Sequence, residues 1–348
     1  MRITDRTALA FIMAGLMAAV SNGTSALAAP VAFKFATVAP EGSSWMVVMR
    51  EAADEIKAKT GGNVELKLYP GGIAGDEPDV LRKMRVGQYH GAGFTGVGLG
   101  ELVSDIRILE LPFFYDSLDE LHYVRNKLTS HLEEKFRAKG YIFLDWAEPG
   151  LVYLLSQKPV RSVADMNGVK MWAWEGDPLA DSMLDTFKIA PVRVALQDVL
   201  MGLQTGMINA AYAPPLAAMA LQWQTKVKFM TAEPMTNSTG AILLTKAQWE
   251  KVSASDQALV RQITSKSLKK LEESTTKQNM EAIEKFKQQG IQLVSPDAQA
   301  RADMFSAGAK VRQELVGKLY SPELLKKVEG LVQEFRASKT AKKPSGKK

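Results

Sequence analysis

Two tryptophans one residue apart, Trp172 and Trp174, dominate the part of the sequence that could build a site. In an extended segment, residues two apart share a face. Both indoles therefore point the same way, and Glu175 and Asp177 follow at once. Tyr212 closes another apolar run just before Pro214-Pro215. Open α/β sheets bind ligands at the carboxyl ends of their strands. Facing a cleft, these rings would be flat apolar walls, and a cationic guest would gain cation–π attraction. The same residues also suit ordinary core packing. Trp45, at helical spacing with Val48, Met49, Ala52 and Ile56, reads first as core and only second as wall.

Catalytic chemistry has little to build on. The chain has no cysteine and three histidines, His90, His122 and His131. That excludes a thiol nucleophile and leaves almost nothing for a zinc site. None of the histidines accompanies a G-x-S-x-G motif. Acidic pairs such as Asp119/Glu120 and Glu133/Glu134 lie in mixed-charge helical surroundings and read as solvated faces. The glycine run 91–100, around Phe94 and Thr95, lacks the GK[ST] of a phosphate loop. Its glycines are expected to let backbone pass close to a ligand or a neighbouring strand. No cofactor, no metal and no nucleic acid are expected.

The elements that must position these residues alternate. Strands are expected at 31–38, 64–68, 141–146, 151–156, 169–174 and 208–212, with helices between them. Such alternation predicts an α/β fold with a parallel sheet covered by helices on both faces. Pro178 suits the first turn of a helix that follows Asp177. A helix from Ser255 to Gln288, capped by Ser253 and Asp256 and stopped by Gly290, would reach about 50 Å. That exceeds one small lobe, so it is expected to cross two. Two further helices are expected near 297–318 and 321–336. The 348 residues suit about two domains.

The ends differ from the body. Arg2 and Arg6 precede the twelve-residue apolar stretch Leu9 to Val20, and Ala26-Leu27-Ala28 gives a small-x-small cleavage pattern. Residues 1–28 therefore read as a secretory signal cleaved after Ala28, which places the mature chain in the periplasm. The net charge of +6 sits in the ends, five lysines of it within 337–348. The body is neutral, unlike a nucleic-acid binder. Residues 337–348 read as a basic, disordered tail.

Four segments, in order, resemble a known family. ELKLYPGGIAGDEPDVLRKMRVGQYH (65–90), LELPFFY (109–115), PVRSVADMNGVKMW (159–172) and ALQDVLMGLQTGMINAA (195–211) are similar to stretches of the DctP-type solute-binding proteins of TRAP (tripartite ATP-independent periplasmic) transporters. The resemblance runs from Phe33 to about Val294. It implies a two-lobed periplasmic binding protein fold, type II-like, that closes on a solute and hands it to TRAP membrane subunits. Lobe one would hold 29–149 and about 239–278. Lobe two would hold 150–238 and about 279–336. The C-terminal helices lie beyond the resemblance and suit a homodimer contact.

The departures concern the ligand. Where the family places an arginine to clamp a substrate carboxylate, this chain has Trp172. A second arginine position holds Val152, and the family's Glu-Asn pair falls on Tyr212 and Ala213. Tryptophan cannot replace a planar guanidinium fork. The expected pocket is aromatic and poorly charged, lined by Trp172, Trp174, Glu175, Tyr212, Ala213, Val152, Phe94, Thr95 and Trp45. It suits an uncharged, aromatic or cationic solute, and Arg193 is the candidate substitute cation. The rival readings are a ligand-binding sensor, an ABC-type binding protein and an exported enzyme.

Overall fold

The computed structural model describes residues 29–341. The expected signal sequence and the last part of the basic tail lie outside them. Among the described residues no helix is long and apolar enough to cross a membrane.

Twelve strands form among the described residues. They are β1 Val31–Ala36, β2 Val64–Tyr69, β3 Gly91–Thr95, β4 Tyr141–Trp146, β5 Gly150–Ser156, β6 Trp172–Ala173, β7 Val192–Arg193, β8 Ala210–Ala213, β9 Phe229–Thr231, β10 Thr236–Ser238, β11 Gly240–Thr245 and β12 Gln292–Val294. The first lobe is built on the order β2-β1-β3-β11-β4. β1 is parallel to β2 and β3, whereas β11 runs antiparallel to β3 and β4. The expected all-parallel sheet is therefore mixed. The chain returns from the second lobe through Thr239 alone, and so short a link delivers β11 in the opposite sense. In the second lobe β5 is antiparallel to β8, β9 and β10, and β12 pairs parallel with β9.

Among the described residues the chain crosses between the lobes four times, the last along the helix Ala298–Glu314, which runs from Met304 in the second-lobe core to Val311 in the first. Ala147–Pro149 links β4 to β5, and Thr239 links β10 to β11. These two run side by side, with the Ala147 amide donating to the Gly240 carbonyl at 2.7 Å. A Cβ on Gly240 would stand 2.2 Å from the Ala147 carbonyl oxygen, so only glycine lets them touch. The third connection is the helix Ala254–Gln288, long enough to cross both lobes as the length expected from the sequence implies. Val260, Ile263, Leu268 and Leu271 pack in the first lobe, and Phe286 packs in the second. Ser253 caps it by accepting the Asp256 amide, but Asp256 turns to the Asn63 side chain and no reciprocal capping box forms. Asn279 on this helix donates to the Pro149 carbonyl and accepts from the Leu216 amide, fastening the helix to the hinge and the second lobe.

Two expectations about the C-terminus are corrected. The last helix, Pro322–Ala341, packs on the first-lobe helix Leu118–Ala138 rather than with the second lobe. Leu324, Leu325, Val328 and Val332 fill that interface, so this apolar face of the helix is used within the chain. Residues 337–341, expected to be disordered, continue this helix. Arg336 pairs with Glu120 at 2.8 Å and Lys339 with Asp119 at 3.3 Å, which gives the basic segment acidic partners.

The hinge carries a stability prediction. Gly240→Ala forces the two crossing strands apart and is expected to cost about 1–3 kcal/mol, the usual range for overpacking. Gly330→Ala, in a helix with open space around the added carbon, should instead stabilise by about 0.5–1 kcal/mol. Urea unfolding of both variants checks the sign of each; equal effects contradict the hinge argument.

Candidate functional site

A cavity of about 560 Å³ lies between the lobes. Of the residues singled out in the sequence, Trp45, Phe94, Thr95, Val152, Trp172, Trp174, Tyr212 and Ala213 all line it. Trp172 is 1% exposed, with its ring centroid 5.0 Å from Trp174, 5.1 Å from Tyr212 and 5.4 Å from Trp223. Its Nε1 donates to the Val194 carbonyl at 2.9 Å. The strand expected over 169–174 is only two residues long, yet the alternation holds long enough to bring both indoles to the cavity. Trp45 is both wall and core: it stacks on Phe35 at 6.2 Å while lining the cleft.

Glycines admit large side chains here. A Cβ on Gly93 would stand 2.6 Å from the Trp45 ring, and one on Gly96 would stand 2.2 Å from the Glu110 carboxylate. The glycine run thus brings large side chains to the cleft.

Two sequence expectations fail. Glu175 is exposed and does not line the cavity; Asp177, two residues on, is buried and does. The intervening Gly176 at φ 72° turns the chain, and Asp177 caps the helix Pro178–Thr186 by accepting the Leu179 and Ala180 amides. Arg193 also stays out. It pairs with Asp181 at 2.6 Å and donates to the Trp174 carbonyl at 2.9 Å, on the outer side of the strand.

The cation in the cleft is Arg107, which sequence reasoning missed. It sits on the 3₁₀ turn Ser104–Glu110 of the first lobe with its side chain 5% exposed. Its Nη2 lies 3.0 Å from Asp177 Oδ1 and 3.1 Å from Oδ2, across the cleft. Its Nε lies 2.8 Å from Glu110 Oε2, without the alignment of a hydrogen bond. Burial alone would lower the Arg107 pKa, but the Asp177 and Glu110 charges outweigh it and hold the guanidinium charged. A second contact joins the lobes: Trp174 Nε1 donates to Asp76 Oδ2 at 2.8 Å, and the Leu196 amide reaches the same oxygen at 3.3 Å. These contacts mark a closed arrangement.

Further polar groups complete the wall. Neither the oxygen nor the nitrogen of the buried Asn237 amide has a partner. Tyr212 Oη is likewise unpartnered; the Trp174 backbone approaches it without hydrogen-bond geometry, and burial pushes the phenol well above its ordinary pKa. Orphaned buried polar atoms are rare and call for a partner. Thr95, by contrast, is engaged: its amide and hydroxyl both donate to Glu77, at 2.8 and 2.9 Å. Behind the hinge, His122, Glu148 and Glu272 come close enough to share an ion. Arg125 Nη1 already stands 3.1 Å from Glu148 and 2.9 Å from Glu272, supplying positive charge there.

Burial raises Glu77 to about 7, partly offset by its bonds from Thr95 and Gly98. Burial likewise raises Glu110 to about 7, with Arg107 pulling it down. A raised folded-state value means that the fold binds the proton more tightly than the unfolded chain. Their stabilising protonation is complete below about 4.5 and is lost as pH rises through about 7. Each contributes up to about 3 kcal/mol across that window. Glu110→Gln is therefore expected to flatten the fall in urea-unfolding midpoint between pH 5 and pH 8. An unchanged slope contradicts the assignment.

With the geometry in view, comparison with known proteins decides the family. A model of bacterial extracellular solute-binding protein family 7, DctP, matches residues 35–318. The chain belongs to that family. Its members are solute-binding receptors of TRAP transport, and the DctP-type receptors are periplasmic. A curated solute-binding protein of Chromohalobacter salexigens is 26% identical over 213 residues, 60% of this chain and 63% of that protein. The match thus spans a little under two thirds of that relative. A TRAP periplasmic solute-binding protein of Ralstonia eutropha, solved with bound (S)-2-acetolactate, superposes with TM-score 0.81 at 20% identity, over 87% of this chain and 99% of that one. Another from Desulfovibrio salexigens, solved with bound orotic acid, gives 0.80 at 17% identity over 87% and 99%. At these identities the likeness shows the two-lobed fold. The family-7 chain shares that fold while walling its cleft with Trp172, Trp174 and Tyr212.

Proposed function

We propose that this family-7 chain is an extracytoplasmic receptor, exported by its first 28 residues, that captures a small organic solute between its lobes. It then delivers the solute to the membrane subunits of a TRAP-type secondary transporter, without chemical turnover. The observation that carries this reading is the cavity itself: about 560 Å³, between two lobes, walled by indole and phenol rings. That volume is within the range of small-molecule sites. Closing removes the solute from water, and the closed form is the one a docking partner would select. The solute favoured by these walls is uncharged, aromatic or cationic, because Trp172 and Val152 stand where relatives of this type are expected to clamp a carboxylate. This sets the chain apart from the relatives solved with acids.

The cysteine-free sequence makes the test direct. Val86 and Met201 are exposed, one on each lobe, and can be replaced by spin-labelled cysteines. Protein purified natively is expected to show a shorter inter-lobe distance than protein stripped by unfolding and refolding. Adding back the small-molecule fraction released from native protein should restore the short distance. Equal distances in all three samples contradict a closing receptor.

A further inference from the structure

We infer that Asp177 is the residue that bars carboxylate solutes from this cleft, by placing its own carboxylate on the Arg107 guanidinium, and that the solute takes its polar contacts from the Asn237 amide and the Tyr212 hydroxyl. The inference rests on the receptor reading and names the determinant of its substrate class.

Arg107 is the only arginine or lysine among the described residues that line the cavity. A guanidinium is the group best shaped to hold a carboxylate in two parallel bonds. Here Asp177 already faces that group across the cleft, both its oxygens on the one nitrogen Nη2 at 3.0 and 3.1 Å, with Glu110 against Nε. A solute carboxylate would have to displace Asp177 from a buried pair and would then meet two protein carboxylates around one cation. Like charges gathered in a buried site are strongly disfavoured. The lobes also part company here: Arg107 belongs to the first and Asp177 to the second, so the pair forms as the cleft closes. An anionic solute would therefore oppose closure, while an uncharged one leaves the pair intact.

The unpartnered groups say what the pocket does accept. Asn237 offers one acceptor and two donor hydrogens, and Tyr212 offers a hydroxyl. All lie in the same cavity and none has a protein partner. A solute with adjacent donor and acceptor atoms, such as an amide, imide or alcohol, satisfies them while its flat face lies on the indoles.

Orotate and uracil form a matched pair, the same ring with and without a carboxylate. Calorimetric titration of the parent protein is expected to show orotate binding no more tightly than uracil. Asp177→Asn keeps an oxygen for the helix cap but removes the charge. Asp177→Ser keeps a shorter capping oxygen and vacates the guanidinium. In whichever of the two folds, orotate affinity should rise about tenfold or more while uracil changes less than about threefold. Adding Arg107→Met should abolish the gain. A parent that prefers orotate, or an Asp177 variant with an unchanged orotate response, including no response, overturns the role of Asp177. Those outcomes leave the closing receptor intact. The receptor reading fails separately, through unchanging inter-lobe distances.

Discussion

Arg107→Met is expected to shift the protein toward its open form by about 3–5 kcal/mol, the scale on which a buried ion pair loses one partner. The variant leaves Asp177 and Glu110 facing each other in the closed cleft without their cation. Both are less than a tenth exposed there. Opening relieves Asp177, because its partner lobe swings away and water replaces the guanidinium. Glu110 does not move away: it stays on the same turn as residue 107, held by the Thr239 amide at 2.6 Å, and its carboxyl, already raised to about 7 by burial, loses the cation that pulled it down and takes up a proton. Two readouts therefore separate. The inter-lobe distance should lengthen markedly, whereas the urea-unfolding free energy should fall by less than the closing free energy does. Asp177→Asn in the same background should restore part of the closure, because it removes the carboxylate left without its cation. A variant that stays closed with unchanged stability contradicts the ion pair as a closing contact.

Trp172→Ala is expected to destabilise folding by about 3–5 kcal/mol, the usual cost of truncating a buried Trp. The indole touches three other aromatic rings and is almost wholly enclosed. Removing it opens a void that Trp174, held by its bond to Asp76, cannot fill. The Val194 carbonyl also loses its donor. Trp172→Phe keeps most of the packing and should lose roughly 1–2 kcal/mol, about that of one hydrogen bond plus residual volume. Trp172→Arg should be at least as damaging as alanine, since no free carboxylate stands ready for a second guanidinium. Urea unfolding of the three variants tests the order; a loss below about 1 kcal/mol for alanine would show that the ring is wall and not core.

Much of this was legible in the sequence, and the limits are physical. The long helix announced itself because one long helical stretch, a serine cap and a terminal glycine all agree. The indole pair was legible because strand alternation needs only three residues. Arg107 was not. It sits in a seven-residue 3₁₀ turn too short for any periodicity, and its meaning comes from Asp177, seventy positions away on the other lobe. Between Glu175 and Asp177 the sequence offers two acids two apart. The Asp-Pro helix start was the one signal favouring the second, since a capping aspartate is held in place. Asn237 lies in a three-residue strand with no pattern of its own. The sheet's mixed direction was hidden because it depends on a one-residue link between lobes. The helical start of the basic tail depends on Asp119 and Glu120, some 220 residues earlier.

The most direct test of the central claim is native mass spectrometry of protein purified without refolding, followed by mild denaturation and identification of what is released. One small molecule per chain is expected, lacking a carboxylate and carrying adjacent donor and acceptor atoms on a flat or amine-bearing body. A released mono- or dicarboxylate would contradict the account of Arg107 and Asp177, and protein that is empty however gently it is prepared would contradict the receptor.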